Sequence, residues 1–193
     1  MLVISVFLVY CNVSVSLGIG CGLVRGLIAF SYGLTKSEPS LCNQKLARVV
    51  AKIIESERGQ LRVVAQWEIA LALEDMGFHV SHVVWPKPDL YLCSSDIITP
   101  AIPIFRQETI TQVIPVAQPF LQYPAVVRQI KNEGFEVFKR EIPKIGHNPD
   151  SLQPWTRSAP ALVRYALRQR LTGHQGALIV TEQIKRLLAG TSN

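Results

Sequence analysis

Three polar side chains stand where the sequence predicts that a buried strand gives way to a helix. Gln66 and Glu68 follow the apolar run 61–65, and Gln118 follows Val116 and Ala117. In open α/β sheets, ligands bind beyond the carboxyl ends of the parallel strands. The placement therefore predicts that Gln66, Glu68 and Gln118 contact a bound ligand.

Glu68 falls in the first turn of the predicted helix. The positive end of a helix dipole favours the charged form of a carboxyl group. We therefore expect Glu68 to accept a hydrogen bond, from a ribose hydroxyl or an amine, rather than to act as a general acid. Stabilisation of its own helix, by about 0.3–1 kcal/mol, explains the placement equally well.

Glycines alternate in Gly18, Gly20 and Gly22, directly after a predicted strand over residues 12–17. The backbone N–H groups of such a turn can approach a phosphate or carboxylate, which makes Gly18 and Gly20 candidate ligand-binding residues. The full G-x-G-x-x-G pattern is not present. A tight turn with positive φ accounts for the glycines as well.

His147 and Arg157 lie in a long irregular stretch, residues 142–157. Loops of this length in a compact domain are often lids or binding loops. In an enzyme, Glu68, His147 and Arg157 are the candidates for a base and an anion clamp, and His147 could serve as general acid or base. The spacing indicates no pair of nucleophile and base, so it assigns no catalytic residue.

The composition indicates one globular domain. The chain has 193 residues, 48% of them hydrophobic and 18% charged, and a formal net charge of +6. Residues 1–119 hold nine basic and nine acidic side chains, whereas residues 120–193 hold eleven and five. This excess of positive charge could bind phosphate-bearing ligands, nucleic acid or an anionic membrane surface. Nucleic acid is not favoured, because no basic stripe interleaved with aromatic residues is present. The four cysteines form no C-x-x-C pair, and no metal site is predicted.

The first 24 residues carry no charge. They lack the positive start of a signal peptide, and their polar and glycine-rich second half disfavours a membrane span. We expect residues 1–11 to be an apolar extension, either a strand or a membrane anchor. A cytoplasmic protein is favoured, with anchoring and membrane association through the N-terminus as the alternative.

The remaining pattern predicts an α/β fold, a Rossmann-like three-layer sandwich with a mostly parallel sheet. Apolar residues at helical spacing over 46–54 predict an amphipathic helix. Two copies of a strand ending in Val-Ala-Gln, a helix, a closing glycine (Gly77 and Gly134) and a next strand starting Phe-x-Val suggest repeated βαβ units. Residues 25–35 are predicted to form a short helix, residues 89–103 turns, and residues 158–171 a helix. Residues 94–96 are interpreted as a helix cap, although such a loop could also line a ligand cleft. The main domain would span residues 12–173, followed by a helical tail over 174–193.

Four short segments are similar to the SanA/YdcF/ElyC-type family of Rossmann-like domains, over about residues 12–173. They are residues 16–20, 65–70, 116–120 and 171–173. The chain departs from the family at 94–99, which lack its Asn-Thr and Glu-Asn motif, and at 120–124, which lack its His and Arg.

The resemblance implies a domain of the kind found in bacterial envelope and cytoplasmic proteins, some of which bind S-adenosylmethionine. With the candidate residues above, it leads us to expect a nucleotide-like or phosphate-bearing small ligand, of the S-adenosylmethionine type, at the carboxyl edge of the sheet. Two alternatives stay open. One is a hydrolase or transferase acting on a phosphate- or sugar-containing substrate, and the other is a non-catalytic, envelope-associated structural or interaction protein.

Overall fold

A computed structural model describes residues 24–35, 38–58, 60–86 and 92–172, with side chains as far as residue 168. Within these ranges, five parallel strands form one sheet in the order β3-β2-β1-β4-β5. The strands are β1 (Arg25–Ala29), β2 (Leu61–Gln66), β3 (His82–Val84), β4 (Gln112–Val116) and β5 (Glu136–Val137). The helices are α1 (Leu41–Ser56), α2 (Trp67–Glu74), α3 (Ser94–Gln107), α4 (Gln122–Asn132) and α5 (Ala159–Thr172), and a 3₁₀ turn covers Pro154–Thr156.

Helices cover both faces of this sheet, because the side chains of a strand alternate between its faces. Leu27 and Ala29 of β1 pack with α1 and α2, whereas Ile28 and Phe30 pack with α3 and α4. The predicted α/β class and three-layer, parallel architecture are confirmed.

The register brings the carboxyl ends of the three central strands level with one another. Ala29, the last residue of β1, lies opposite Ala65 of β2 and Val116 of β4. The strand order changes direction between β1 and β4, which makes their carboxyl ends the topological switch point where such sheets bind ligands.

The helix predicted within residues 25–35 is wrong, because residues 25–29 form the central strand. Leu27, Ile28 and Ala29 are fully buried, as expected for a strand covered by helices on both faces. A short apolar run carries no periodicity that separates such a strand from a buried helix. The strand predicted over 12–17, the extension over 1–11 and the tail over 174–193 lie outside the described residues.

The turns predicted through Pro103 are also wrong, because α3 contains both Pro100 and Pro103. Each proline removes one helical N–H donor. The helix forms nevertheless, since its apolar face is buried against the sheet and a capping box closes its start. In that box the Cys93 N–H donates to Asp96 Oδ2 at 2.7 Å, so the predicted cap at 94–96 begins one residue earlier.

Other predicted elements are confirmed with small changes. The hydroxyl of Ser40 caps α1, and Gly77 and Gly134 adopt φ values of 79° and 88° after α2 and α4. The strand expected directly after Gly77 begins only at His82. No helix among the described residues has the length and apolar character needed to cross a membrane.

Candidate functional site

Ser31 lies at the centre of the carboxyl edge, just after β1. Its N–H donates to Gln66 Oε1 at 3.1 Å, and its carbonyl oxygen accepts from Gln122 Nε2 at 3.0 Å. The loop after the central strand is therefore fixed on one side to the end of β2 and on the other to the start of α4.

Gln118 connects this arrangement to the loop after β4. Its N–H donates to Gln122 Oε1 at 3.1 Å. Its own Oε1 accepts from the N–H groups of Phe120 and Leu121, each at 3.0 Å. The side-chain oxygen of Gln118 thus holds the turn before α4, while the residue also lines the cavity described below.

Glu68 is almost fully buried, with 1% of its surface exposed. Burial raises the pKa of Glu68 from 4.5 to about 7, and hydrogen bonds from its own backbone and from the side chains of Ser31 and Gln66 offset only part of that rise. Burial therefore dominates the protonation of Glu68, contrary to the expected preference for its charged form. The expected role of Glu68 as a hydrogen-bond acceptor for a ligand stays a prediction. Its Oε2 has no hydrogen-bond partner among the described residues.

The loop between β1 and α1 is held by Asn43, which is completely buried. Its Oδ1 accepts from the Tyr32 N–H at 2.7 Å, and its Nδ2 donates to the Gly33 carbonyl oxygen at 3.1 Å. Gly33 has a φ of 87°, and a Cβ there would lie 3.3 Å from Cβ of Asn148. This loop therefore packs closely against the segment that follows β5.

That segment, residues 142–157, is anchored at several points. The Leu152 N–H donates to the Leu34 carbonyl oxygen at 2.8 Å, and Trp155 stacks on Tyr165 of α5 with ring centroids 4.8 Å apart. Arg157 is exposed and donates from Nε to the Ser151 carbonyl oxygen at 2.6 Å. The segment forms a wall beside the carboxyl edge, and the guanidinium of Arg157 is engaged within it.

A cavity of about 500 Å³ opens between the end of β4, residues 142–147 and the first turns of α5. Its polar lining comes from Gln118, Lys144 and His147. His147 Nδ1 is buried and has no hydrogen-bond partner among the described residues. Most of the other lining is apolar and includes Phe120, Ile142, Ile145, Leu162 and Val163. The cavity can thus enclose an apolar group while offering a positive charge and an imidazole.

The structure relates the predicted site residues to one another in different ways. Gln66 and Gln118 belong to one set of hydrogen bonds that runs through Ser31 and Gln122. Glu68 is buried in the first turn of α2, which begins directly after Gln66. His147 lines the cavity, whereas Arg157 is not among its lining residues. Gly18 and Gly20 lie outside the described residues.

The sequence prediction missed Ser31, Gln122 and Lys144. Ser31 is the first polar residue after the run 27–30, the same signal that identified Gln66, but it is lost when that run is assigned to a helix. Gln122 lies four residues after Gln118, a separation that is not informative without the structure. Nothing in the sequence distinguishes Lys144 from the other basic residues of the range 120–193.

Two further features of the described residues lie apart from this site. A second cavity of about 440 Å³ between α3 and α4 contains Arg106, whose guanidinium binds the carbonyl oxygen and carboxylate of Glu133. No cluster of three or more His, Cys, Asp or Glu side chains within the described ranges could hold a metal ion.

Comparison with known proteins gives little further information. No protein-family model and no curated protein sequence matches this chain. One solved structure, Rhizobium etli pyruvate carboxylase T882A with the allosteric activator acetyl coenzyme-A, is similar over 60% of this chain and 11% of that chain, at 14% identity and a TM-score of 0.31. A similarity this low carries no argument about function.

Proposed function

We propose that this protein binds a nucleotide-like or phosphate-bearing small molecule at the carboxyl edge of its sheet. The observation that carries the proposal is the cavity of about 500 Å³ beside the end of β4, one of the two strands that flank the topological switch point. Small-molecule sites in open α/β sheets occur at this switch point, and cavities of this size and mainly apolar lining are typical of them.

The chemistry of the lining favours this ligand class. A planar base or another apolar ring could be enclosed by Ile145, Leu162 and Val163, and the exposed ring of Phe120 could stack on it at the mouth. The ammonium group of Lys144 would attract a phosphate or carboxylate. The resemblance to the SanA/YdcF/ElyC-type family supports the same class, with S-adenosylmethionine as one member to test.

The test is a thermal-shift and calorimetric screen with millimolar S-adenosylmethionine, adenosine 5′-monophosphate (AMP) and a sugar nucleotide. We expect at least one of them to raise the Tm of the wild type, because a ligand that binds only the folded state stabilises it. Unchanged Tm values with all three would contradict the proposal.

Two variants test whether binding occurs in this cavity. Lys144→Ala should weaken the binding of an anionic ligand roughly tenfold, the loss expected for one charge-assisted contact. Val163→Trp should weaken binding of any ligand by filling the cavity from α5. Lys139→Ala is the matched control, since Lys139 is exposed and is not among the lining residues. Equal affinities for Lys144→Ala and Lys139→Ala would exclude Lys144 from the site.

A second candidate function is a hydrolase or transferase acting on a phosphate- or sugar-containing substrate. The raised pKa of Glu68, about 7, favours it, because a general acid or base works best with a pKa near the operating pH. In that case Glu68→Gln would have to abolish turnover of an identified substrate, and full turnover by this variant would remove the candidate.

A further inference from the structure

We infer that the amide NH2 group of Gln118 is a specificity-determining donor in the cavity, where it selects ligands that carry a carbonyl oxygen or a ring nitrogen on their enclosed, apolar part. The inference rests on the proposed function, because it names the group by which the same cavity recognises the uncharged part of the ligand.

The orientation of the Gln118 amide is fixed by the turn before α4. Its Oε1 accepts from the N–H groups of Phe120 and Leu121, each at 3.0 Å. Its backbone is held as well, since the N–H donates to Gln122 Oε1 at 3.1 Å and the carbonyl oxygen accepts from the Tyr123 N–H at 3.0 Å. A reversed amide would place its NH2 group against two other donors, so the position of Nε2 is determined.

The NH2 group is the hydrogen-bonding group of Gln118 that no described residue engages. Gln118 is only 6% exposed, yet Nε2 does not belong to the polar atoms that are both sealed from solvent and without a partner. Because Gln118 lines the cavity, a ligand can reach this group there. Covering such a donor without supplying an acceptor costs free energy.

The walls around this donor are apolar. Ile145 and Leu162 line the cavity and are buried, whereas the polar lining residues Lys144 and His147 are exposed and half-buried. The enclosed part of a ligand therefore meets apolar side chains and one amide donor, and its anionic group lies toward the exposed ammonium of Lys144.

An amide NH2 group can only donate, so it distinguishes an acceptor from an apolar group of the same shape. Carbonyl oxygens and unprotonated ring nitrogens can only accept, and the nucleotide bases carry them on their edges. A site built to hydrogen-bond one ligand atom rejects the analogue that lacks this atom more strongly than it rejects a change of one methylene group. The class of ligand selected is thus an anion whose apolar body bears one such acceptor.

The experiment compares 4-acetylbenzylphosphonate with 4-isopropylbenzylphosphonate by calorimetry at pH 8.5. The two compounds have nearly the same shape and the same phosphonate, so its charge cancels in the ratio of their Kd values. They differ in one carbonyl oxygen, which the isopropyl compound replaces with a methyl group. The wild type should bind the acetyl compound about fivefold more tightly, the effect of one net hydrogen bond.

Two variants remove the donor in different ways. Gln118→Glu retains an oxygen that accepts from the N–H groups of the turn, and these donors favour its ionised form, which offers no donor to a ligand. Gln118→Met introduces no titratable group. Both variants should reverse the preference, because the more apolar isopropyl group is then favoured. Gln60→Glu makes the same chemical change at an exposed position before β2 and should keep the wild-type ratio.

Nuclear magnetic resonance gives a second measurement that does not depend on affinity. The side-chain NH2 signals of Gln118 are identified by their loss in both variants. They should move downfield when the acetyl compound binds the wild type and should move less with the isopropyl compound. Equal movement with both compounds would contradict the inference.

The outcomes distinguish this inference from the proposed function. If the wild type binds the isopropyl compound at least as tightly as the acetyl compound, or if either Gln118 variant keeps the wild-type ratio, the NH2 group is not the donor and the cavity proposal stands. The same conclusion follows if the wild type binds neither phosphonate while a ligand of the screen raises its Tm. If no compound binds, both are wrong.

Discussion

The carboxyl group of Glu68 is nearly inaccessible to water, so its protonation is coupled to folding. Its pKa is about 7 in the folded protein, against 4.5 for an ordinary glutamate. Between these values the folded state holds a proton that the unfolded state has released. Stability should therefore decrease as the pH rises from about 4.5 to about 7 and then level off, by about 3 kcal/mol in all.

Urea unfolding of the wild type and of Glu68→Gln at pH 5 and pH 8 measures this contribution. Other titrating groups act in both proteins, so the difference between the two isolates Glu68. We expect the wild type to lose about 2–3 kcal/mol more than Glu68→Gln between the two pH values. Glu74→Gln serves as control and should follow the wild type; the same behaviour in Glu68→Gln would mean that the buried carboxyl group does not titrate in this range.

The packing of the central strand against α3 depends on one glycine. A Cβ at Gly26 would lie 2.7 Å from Cε2 and Cζ of Phe105, whose ring is fully buried and meets Phe135 edge to face. Because a fully buried ring can shift only by displacing its neighbours, Gly26→Ala should lower the free energy of unfolding by about 1–3 kcal/mol.

A double-mutant cycle checks this cause. Phe105→Leu removes the ring atoms that a Cβ at position 26 would meet, so the double variant should lose less stability than the sum of the two single variants. Additive losses would show that the ring does not oppose the added methyl group and that the effect of Gly26→Ala arises elsewhere.

Elements with a clear period or cap could be predicted from the sequence, and those that depend on distant contacts could not. The amphipathic pattern of α1 and the glycines after α2 and α4 are local signals, and the structure agrees with them. The central strand and α3 depend on burial between layers, which a short apolar run or a pair of prolines does not reveal.

The residues of the candidate site also fall into those that a local pattern identified and those that depend on distant contacts. The rule that polar residues follow strands identified Gln66, Glu68 and Gln118. It could not identify Ser31 once its strand was misassigned, nor foresee that burial would keep Glu68 near its titration point at pH 7. Lys144 and His147 lie beside the sheet because of the path of residues 142–157, which no local pattern predicts.

The two edges of the sheet differ in their main features, although both bury polar atoms that have no hydrogen-bond partner among the described residues. Toward the carboxyl edge these atoms belong to Tyr32, Glu68, His147 and Asn148, and toward the amino edge to Arg62 and Arg140. The amino edge also holds the carboxylate of Glu57, which accepts from Arg25 at 2.6 Å and from Arg140. The cavity of about 500 Å³ lies at the other edge. A shared carboxylate is typical of structural support and such a cavity is typical of a ligand site, so we expect support and binding to be divided between the edges.

Glu57 allows a test of this division across the whole molecule. The guanidinium groups that it binds lie over the ring of Phe138, 4.2 Å and 4.9 Å from its centre, and Arg25 Nε also donates to Gln112 Oε1 at 2.9 Å. Glu57→Gln should lower the free energy of unfolding by about 2 kcal/mol, because a largely buried, charge-assisted pair of contacts is lost. The exposed Glu55→Gln is the control and should change it by less than about 0.5 kcal/mol.

Ligand affinity should respond in the opposite way. Glu57→Gln should leave the Kd of the best ligand from the screen unchanged, because Glu57 lies at the end of α1 that is remote from the carboxyl edge. Lys144→Ala should raise this Kd and leave the free energy of unfolding in urea almost unaltered. The test measures the ligand Kd and the free energy of unfolding for both Glu57→Gln and Lys144→Ala. If Glu57→Gln raises the Kd as much as Lys144→Ala does, structural support and ligand binding are not divided between the two edges. The cavity would then depend on the packing of the whole sheet.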